Sequence, residues 1–122
     1  MIKWQAKWIW SWSLIETPNC YVYVRREFEI DAASDAEACV ACRTDYKLYA
    51  NGRYVGRGPG PKKSGFDAYA VHDLSHVLRP GKNVIAAICY YRGQDVLHDK
   101  AGFILQLHIQ HNGDEPTLVT DQ

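Results

Sequence analysis

Hydrophobic and polar residues alternate with a period of two along most of the chain, which is the pattern of β-strands buried on one face. Residues 102–111 alternate in this way. Residues 84–91 are almost continuously apolar and rich in branched and aromatic side chains, which predicts a central strand buried on both faces. Residues 21–30 place Val22, Val24, Phe28 and Ile30 on one face and Tyr21, Tyr23, Arg25, Glu27 and Glu29 on the other, with Arg26 interrupting the alternation.

Turn residues divide the rest of the chain into short strands. Asn51-Gly52 lies between two strand-like runs and predicts a tight hairpin, because both central residues of its turn need positive φ. Asp73 is an N-cap residue before one short helical turn near 73–78, which Pro80-Gly81 ends. Further strands are predicted over residues 36–43, 46–50, 53–57, 66–71 and 117–120.

About eight short strands with regular turn signals predict an all-β fold. We expect an antiparallel β-sandwich of the jelly-roll kind, formed by residues 1–122 as a single domain. The 122 residues are 47% hydrophobic and 23% charged, as in an ordinary globular domain.

Charge and hydropathy argue against two classes of partner. The 14 basic and 14 acidic residues cancel and are mixed along the chain, which argues against nucleic acid and anionic membrane surfaces. No apolar stretch approaches the roughly 18 residues that span a bilayer. The N-terminus also lacks the basic-then-apolar order of a signal peptide. We therefore expect a chain that neither enters a membrane nor carries an export signal.

The four cysteines are Cys20, Cys39, Cys42 and Cys89, and the middle two have C-x-x-C spacing. Their segment has a strand pattern, in which residues three apart point to opposite faces and do not easily share a metal ion or a disulfide. We expect small, buried or half-buried reduced thiols, which favour a cytoplasmic location.

The sequence nominates no catalytic or metal site. Glycoside hydrolysis ordinarily uses two carboxylates about 5 to 10 Å apart. Glu27 and Glu29 come near that spacing, but beside Arg25 they fit a solvated strand face. His72 and His76 have ligand spacing without a third ligand near them in sequence. No catalytic residue, metal or cofactor is predicted.

Three segments carry a more specific signal. They are WQAKWIW at 4–10, YKLYANGRYVGRGP at 46–59 and LRPGKNVIA at 78–86. In order and spacing they resemble the N-terminal β-sandwich domain of bacterial α-L-rhamnosidases, one of the galactose-binding-like jelly rolls. The second and third segments resemble sandwich domains of other glycosidases as well, including β-galactosidases. The tryptophan-rich start and the end at 118–121 indicate the rhamnosidase group.

This resemblance implies a non-catalytic accessory domain that packs against and shapes the catalytic region of a larger multidomain glycoside hydrolase. In that family the catalytic acid and base lie in a separate helical barrel domain. The remainder of the parent chain is then the expected partner. The residue types of the motifs themselves have scaffold roles, because Asn51-Gly52 and Pro80-Gly81 form turns and Leu48 is a core residue.

Carbohydrate binding is the alternative function. Sugar recognition needs an aromatic platform and planar polar groups on the loops of a rigid scaffold. Some members of the resembled family hold rhamnose with a calcium ion at one end of the sandwich. This chain has Arg43 and Thr44 where those members have acidic or amide residues, which leaves fewer oxygen ligands than calcium takes. The candidate ligand-binding residues at this end are Asp45, Tyr90, Tyr91, Arg92 and Asp95.

Tryptophans are concentrated at the start of the chain, at positions 4, 8, 10 and 12. At even spacing Trp8, Trp10 and Trp12 share one face of a strand and form an apolar strip. An exposed strip of this kind marks the docking surface of a neighbouring domain more readily than a free sugar site. We assign these three tryptophans to domain docking.

Overall fold

The computed structural model of the chain describes residues 4–10, 19–31, 35–42, 45–58, 69–91, 102–109 and 117–121. The predicted strands are present there with bounds shifted by a few residues, and residues 66–68 of one prediction lie outside these ranges. No helix in the described ranges is long and apolar enough to cross a membrane. The eight strands found in these ranges are β1 (Cys20–Ile30), β2 (Ala36–Cys42), β3 (Asp45–Ala50), β4 (Arg53–Gly58), β5 (Ala70–Asp73), β6 (Gly81–Tyr91), β7 (Phe103–Ile109) and β8 (Leu118–Val119).

The strands form two four-stranded antiparallel sheets packed face to face. Sheet I has the strand order β1-β6-β3-β4, and sheet II has the order β5-β2-β7-β8. The inner faces of both sheets supply one hydrophobic core. The predicted all-β antiparallel sandwich is confirmed.

Alternating side chains give sheet I an inner and an outer face. On β1, Phe28 packs against the core while Tyr21 and Tyr23 lie outside, exposed by 63% and 77%. The strand β6 lies between β1 and β3, as predicted for a central strand. Its inner residues are buried, but the residues between them on the outer face are half-buried. The prediction of burial on both faces is therefore wrong, because nothing in the described part of the chain covers this outer face.

The hairpin between β3 and β4 turns at Asn51-Gly52, as predicted. The φ angles are 51° at Asn51 and 79° at Gly52, which is the left-handed conformation that this tight turn requires. A register shift between Leu48 and Tyr49 adds a bulge, after which Tyr49 stands opposite Tyr54.

Two asparagines join this turn to the start of β6. Asn83 is 1% exposed, and its Oδ1 accepts hydrogen bonds from Asn51 Nδ2 at 2.9 Å and from the Arg79 amide at 3.0 Å. Its Nδ2 donates to the carbonyls of Arg79 at 2.7 Å and Gly81 at 3.1 Å. Asn51 Oδ1 accepts from the Val84 amide at 2.9 Å. The motif residues thus form a partly buried polar network, centred on Asn83, in addition to turns.

A hydrogen-bonded turn and not a helix follows β5, at the place where the sequence predicts one short helical turn. Asp73 Oδ1 accepts a hydrogen bond from the Ser75 amide at 2.9 Å, and the Leu78 amide donates to the Leu74 carbonyl at 3.1 Å. Hydrogen bonds from the Ser75 side chain and backbone lower the pKa of Asp73. Leu74 and Leu78 are buried in the core, so the turn closes one end of the sandwich.

Residues 4–10 run along sheet II and cover part of its outer face. Gln106 is 1% exposed, and its Oε1 accepts hydrogen bonds from the amides of Gln5 at 2.6 Å and Ala6 at 3.0 Å. Farther along, Ile9 pairs with Phe103 in an isolated β-bridge. Between this segment and sheet II lies a second, smaller hydrophobic cluster. It consists of Ala6, Ala41 and Ile104, with Trp4, Trp8, Tyr69 and Val119 packed against it.

The cysteines are free thiols, with Cys20 half-buried and the others buried. Cys42 belongs to the main core and Cys39 does not, as the alternation of a strand predicts for residues three apart. Burial raises the pKa of the Cys39 thiol. A hydrogen bond with Cys42, together with burial, raises the pKa of Cys89.

Candidate functional site

Three of the predicted ligand-binding residues lie together at one end of sheet I. Asp45 begins β3 and stands opposite Tyr90 of β6. Tyr21 of β1 stands opposite Tyr90 on its other side, and Tyr91 ends β6. The other two predicted residues, Arg92 and Asp95, lie outside the described residues, as do residues 43 and 44.

Tyr90 and Tyr91, which are neighbours in sequence, point to opposite faces of the sheet. Tyr91 is 4% exposed, and its ring packs edge-on against Trp10 with centroids 6.4 Å apart, so it offers no open face to a sugar. Tyr90 lies on the outer face, where its hydroxyl donates to Asn19 Oδ1 at 2.8 Å and its ring lies 4.7 Å from that of Tyr21. The aromatic surface beside Asp45 is therefore the pair Tyr21–Tyr90. Tyr21 was not among the predicted site residues, although strand pairing of 21–30 with 84–91 would have pointed to it.

The tryptophans of the first segment contact two different clusters. Trp8 packs against the smaller cluster on sheet II, and Trp10 packs against the main core. The indole Nε1 of Trp10 is buried and has no hydrogen-bond partner among the described residues. Trp8 and Trp10 do not form one continuous strip, because residues 4–10 make a single bridge pair instead of a regular strand. Trp12 lies outside the described residues, and the docking role of all three stays a prediction.

A polar pair formed by the buried Tyr46 and the half-buried His72 lies at the side of the sandwich where β4 meets β5. The hydroxyl of Tyr46 lies 2.7 Å from Nε2 of His72. Burial raises the pKa of Tyr46 and lowers that of His72, so both groups are uncharged at pH 7 and a hydrogen bond joins the hydroxyl to Nε2. A Cβ added at Gly58 would overlap the Tyr46 ring. The sequence pattern did not pair these two residues, because they lie on different sheets.

The histidines and carboxylates of the described residues form no metal site. His72 forms a hydrogen bond with Tyr46. The described ranges hold no group of three or more His, Cys, Asp or Glu side chains placed for a metal ion. Glu27 forms an ion pair with Arg25 at 2.8 Å, and the two side chains are 66% and 62% exposed. The pair lies on a solvated face, as the strand pattern predicts.

A cleft of about 180 Å³ opens between the two sheets on the side of β1 and β8. Its volume is below the roughly 300 Å³ at which ligand pockets begin. Arg26 and Asp121 line its open side and approach each other to 3.5 Å. Aliphatic and aromatic side chains such as Val24, Leu105 and Leu118 make up much of the wall, so the cleft is a packing gap at the edge of the core.

Comparison with known proteins gives matches among solved structures. No protein-family model and no curated protein sequence matches the chain. The chain aligns over 99% of its length with 13% of the GH78 family rhamnosidase of Bacillus sp. GL1, with a TM-score of 0.86 and 26% identity. It aligns over 97% of its length with 16% of the α-L-rhamnosidase from Dictyoglumus thermophilum, with a TM-score of 0.69 and 23% identity. The α-L-rhamnosidase of Streptomyces avermitilis complexed with L-rhamnose matches over 84% of this chain and 10% of its own length, with a TM-score of 0.64 and 20% identity.

These matches confirm the resemblance that the sequence motifs indicated. The chain as a whole has the structure of a β-sandwich domain of GH78 α-L-rhamnosidases. It spans about a seventh of the length of those enzymes, given the 13% and 16% that it covers.

Proposed function

We propose that this chain is a non-catalytic accessory domain of an α-L-rhamnosidase-like glycoside hydrolase, which packs against and shapes the catalytic region. The observation that carries the proposal is the match of nearly the whole chain to one small part of the Bacillus rhamnosidase. Such a match supports the interpretation of this sandwich as one domain of a larger enzyme.

The placement of the described carboxylates supports a role outside catalysis. An acid and a base for glycoside hydrolysis face each other across a bound sugar, and the acid is held in surroundings that raise its pKa. Glu27 instead projects from an open strand face and is neutralised by Arg25 at 2.8 Å. Glu29 is exposed on the same strand.

The segment 4–10 is the proposed docking surface for the rest of the parent chain. Trp8 and Trp10 are half-buried against their own domain, so each keeps part of its indole surface outside. A neighbouring domain that covered this part would remove further aromatic surface from water, which favours docking. Trp12, two positions after Trp10 in the sequence, belongs to the same docking prediction.

The absence of catalysis is tested with the chain alone. We expect no hydrolysis of an aryl α-L-rhamnoside above the buffer rate at micromolar protein. Turnover that disappears in the variants Glu27→Gln or Glu29→Gln would contradict the proposal. The variant Glu37→Gln on sheet II serves as the matched control, because its side chain is exposed on a strand of the other sheet.

A second candidate function is recognition of rhamnose or a related sugar at the end of sheet I. The observation that favours it is the ring pair beside Asp45 formed by the exposed Tyr21 and the half-buried Tyr90. A titration with L-rhamnose, with and without calcium, tests this function by calorimetry. Saturable heat that Tyr90→Ala and Asp45→Ala abolish would support it, and no heat at tens of millimolar sugar would contradict it. Tyr91→Ala is not a suitable variant, because the buried Tyr91 ring packs inside the domain.

A further inference from the structure

The outer face of sheet I carries most of the exposed aromatic surface of the described residues. Three of the four large hydrophobic side chains that are exposed lie on it, namely Tyr21 at 63%, Tyr23 at 77% and Tyr54 at 55%. Tyr54 packs against Tyr49 with ring centroids 5.7 Å apart. Three exposed tyrosines on one sheet face make that face a candidate interaction surface.

Two cations interrupt this aromatic face. Lys47 on β3 stands directly opposite Arg57 on β4, and both are exposed. Like charges in directly opposed positions of a sheet destabilise it. The ion pairs formed among the described residues are Arg25–Glu27 and Arg26–Asp121, so neither Lys47 nor Arg57 has a described carboxylate within salt-bridge distance. An anion placed between the two cations would relieve this repulsion.

The strand register arranges the rings and the cations across the whole width of the sheet. One row runs Tyr23, Ile88, Lys47 and Arg57 from edge to edge, and the next row ends at Tyr49 and Tyr54. With strands about 4.8 Å apart, the two edge strands lie about 14 Å apart. Between the edges, Ala86 lies beside Tyr49 and Ile88 lies beside Lys47. A single linear chain that crosses the sheet can reach rings and cations together.

We propose that this surface, here called the tyrosine face and defined by Tyr23, Lys47, Tyr54 and Arg57, binds an acidic polysaccharide. The rings of Tyr23 and Tyr54 stack on the apolar faces of pyranose rings, and Lys47 and Arg57 bind the carboxylates between them. The site is distinct from the pair Tyr21–Tyr90 and from the docking segment 4–10, so the proposal stands independently of the proposed function.

The chemistry of the face favours a sugar acid over a protein partner. The buried centre of a protein interface is depleted of charged residues, whereas on this face Lys47 lies on the inner strand β3, with Arg57 beside it on the edge strand β4. Covering Lys47 and Arg57 with a protein domain would take two like charges out of water. Without a partner of opposite charge, no attraction offsets this desolvation cost. A single polysaccharide strand leaves both side chains in contact with water and supplies one carboxylate per sugar.

The experiment uses the whole chain and two probes of equal length. A hexamer of galacturonic acid is the acidic probe and xylohexaose is the neutral probe, both titrated by calorimetry in EDTA, which removes association through calcium. We expect binding of the acidic hexamer that weakens with added salt, because the Coulomb attraction of exposed charges is screened. The double variant Lys47→Ala with Arg57→Ala and the double variant Tyr23→Ala with Tyr54→Ala should each lose about tenfold or more in affinity.

Matched controls keep the outcomes separate. Lys82→Ala removes an exposed cation, and Val71→Ala removes an exposed apolar side chain from sheet II; both should bind like the wild type. Equal binding of the neutral hexamer, or loss of binding in Tyr90→Ala without loss in Tyr23→Ala, would overturn the assignment. No binding of either hexamer at millimolar concentration would also overturn it and would leave the face to a protein partner. Thermal unfolding of each variant verifies that the fold is intact.

Discussion

At the residue scale, single buried amides connect parts of the chain that lie far apart in sequence. Asn83 joins the hairpin turn, through Asn51, to the turn before β6 with four hydrogen bonds of its side chain. Gln106 likewise holds the amides of Gln5 and Ala6, about 100 positions away. The positive φ of Asn51 and Gly52 could be predicted because local sterics fix it. The partners of Asn83 and Gln106 could not, because only the folded register places them.

Replacing Asn83 by alanine should destabilise the domain by about 2 to 3 kcal/mol, because the buried Asn83 side chain makes four hydrogen bonds to Asn51, Arg79 and Gly81 that are all lost. Lys82→Ala, one residue earlier and exposed, should change the free energy of unfolding by less than about 0.5 kcal/mol. Urea unfolding followed by tryptophan fluorescence measures both. Equal effects of the two substitutions would show that the amide network contributes nothing.

His72 should make the stability depend on pH. Burial lowers its pKa in the folded state, so the unfolded chain takes up a proton at pH values where the folded domain does not. The stability is therefore complete above about pH 6.5, the unfolded value, and falls as the pH drops below it, by at most about 1.4 kcal/mol per pH unit. Urea unfolding at pH 7.5 and 5.5 should show a larger loss for the wild type than for His72→Gln. Parallel losses in the two proteins would contradict this role of His72.

At the element scale, the period of two located the strands, because each strand buries one face and leaves the other in water. The sequence predicts burial of β6 on both faces, but among the described residues its outer face is half-buried. The tryptophans were assigned to one strip because their even spacing suits a strand. Residues 4–10 follow the edge and outer face of sheet II instead, so Trp8 and Trp10 reach different clusters.

Gly58 allows β4 to pass close to the Tyr46 ring, and Gly58→Ala should destabilise the domain by about 1 to 3 kcal/mol through overpacking. The substitution should also shift the His72 imidazole resonances in NMR spectra, because the Tyr46 hydroxyl forms a hydrogen bond with His72. Gly52→Ala is the control: its Cβ meets open space, and its cost comes from a φ of +79°. His72 resonances that move equally in both variants would argue against a direct Gly58–Tyr46 contact.

Gln106→Ala should loosen residues 4–10 without unfolding the sandwich. The amides of Gln5 and Ala6 lose their acceptor, and their hydrogen exchange should speed up about tenfold, the equivalent of roughly 1.4 kcal/mol. Amides of β2 that pair with β7 should keep their protection. His108→Ala is the matched control, because His108 contacts Nε2 of Gln106 and not the first segment. Unchanged exchange at Gln5 and Ala6 would show that other contacts hold the segment.

At the scale of the whole molecule, the fold and the kind of domain followed from the sequence, since turn residues and core residues recur at fixed spacing in such sandwiches. The candidate sites could not be predicted from the sequence in this way. Which exposed side chains share a face depends on strand order, and the sequence left that open. Tyr23 and Arg57 are 34 positions apart, yet the order β1-β6-β3-β4 puts them in one row.

The central claim is that the chain is an accessory domain of an α-L-rhamnosidase-like enzyme, and a chimera tests it most directly. The matched 13% of the Bacillus sp. GL1 rhamnosidase is replaced by this chain, and hydrolysis of an aryl α-L-rhamnoside is compared with that of the enzyme lacking the segment. We predict that the chimera recovers most of the activity and thermal stability that the deletion removes, and that Trp8→Ala reduces this recovery. A chimera as inactive and unstable as the deletion would contradict the claim.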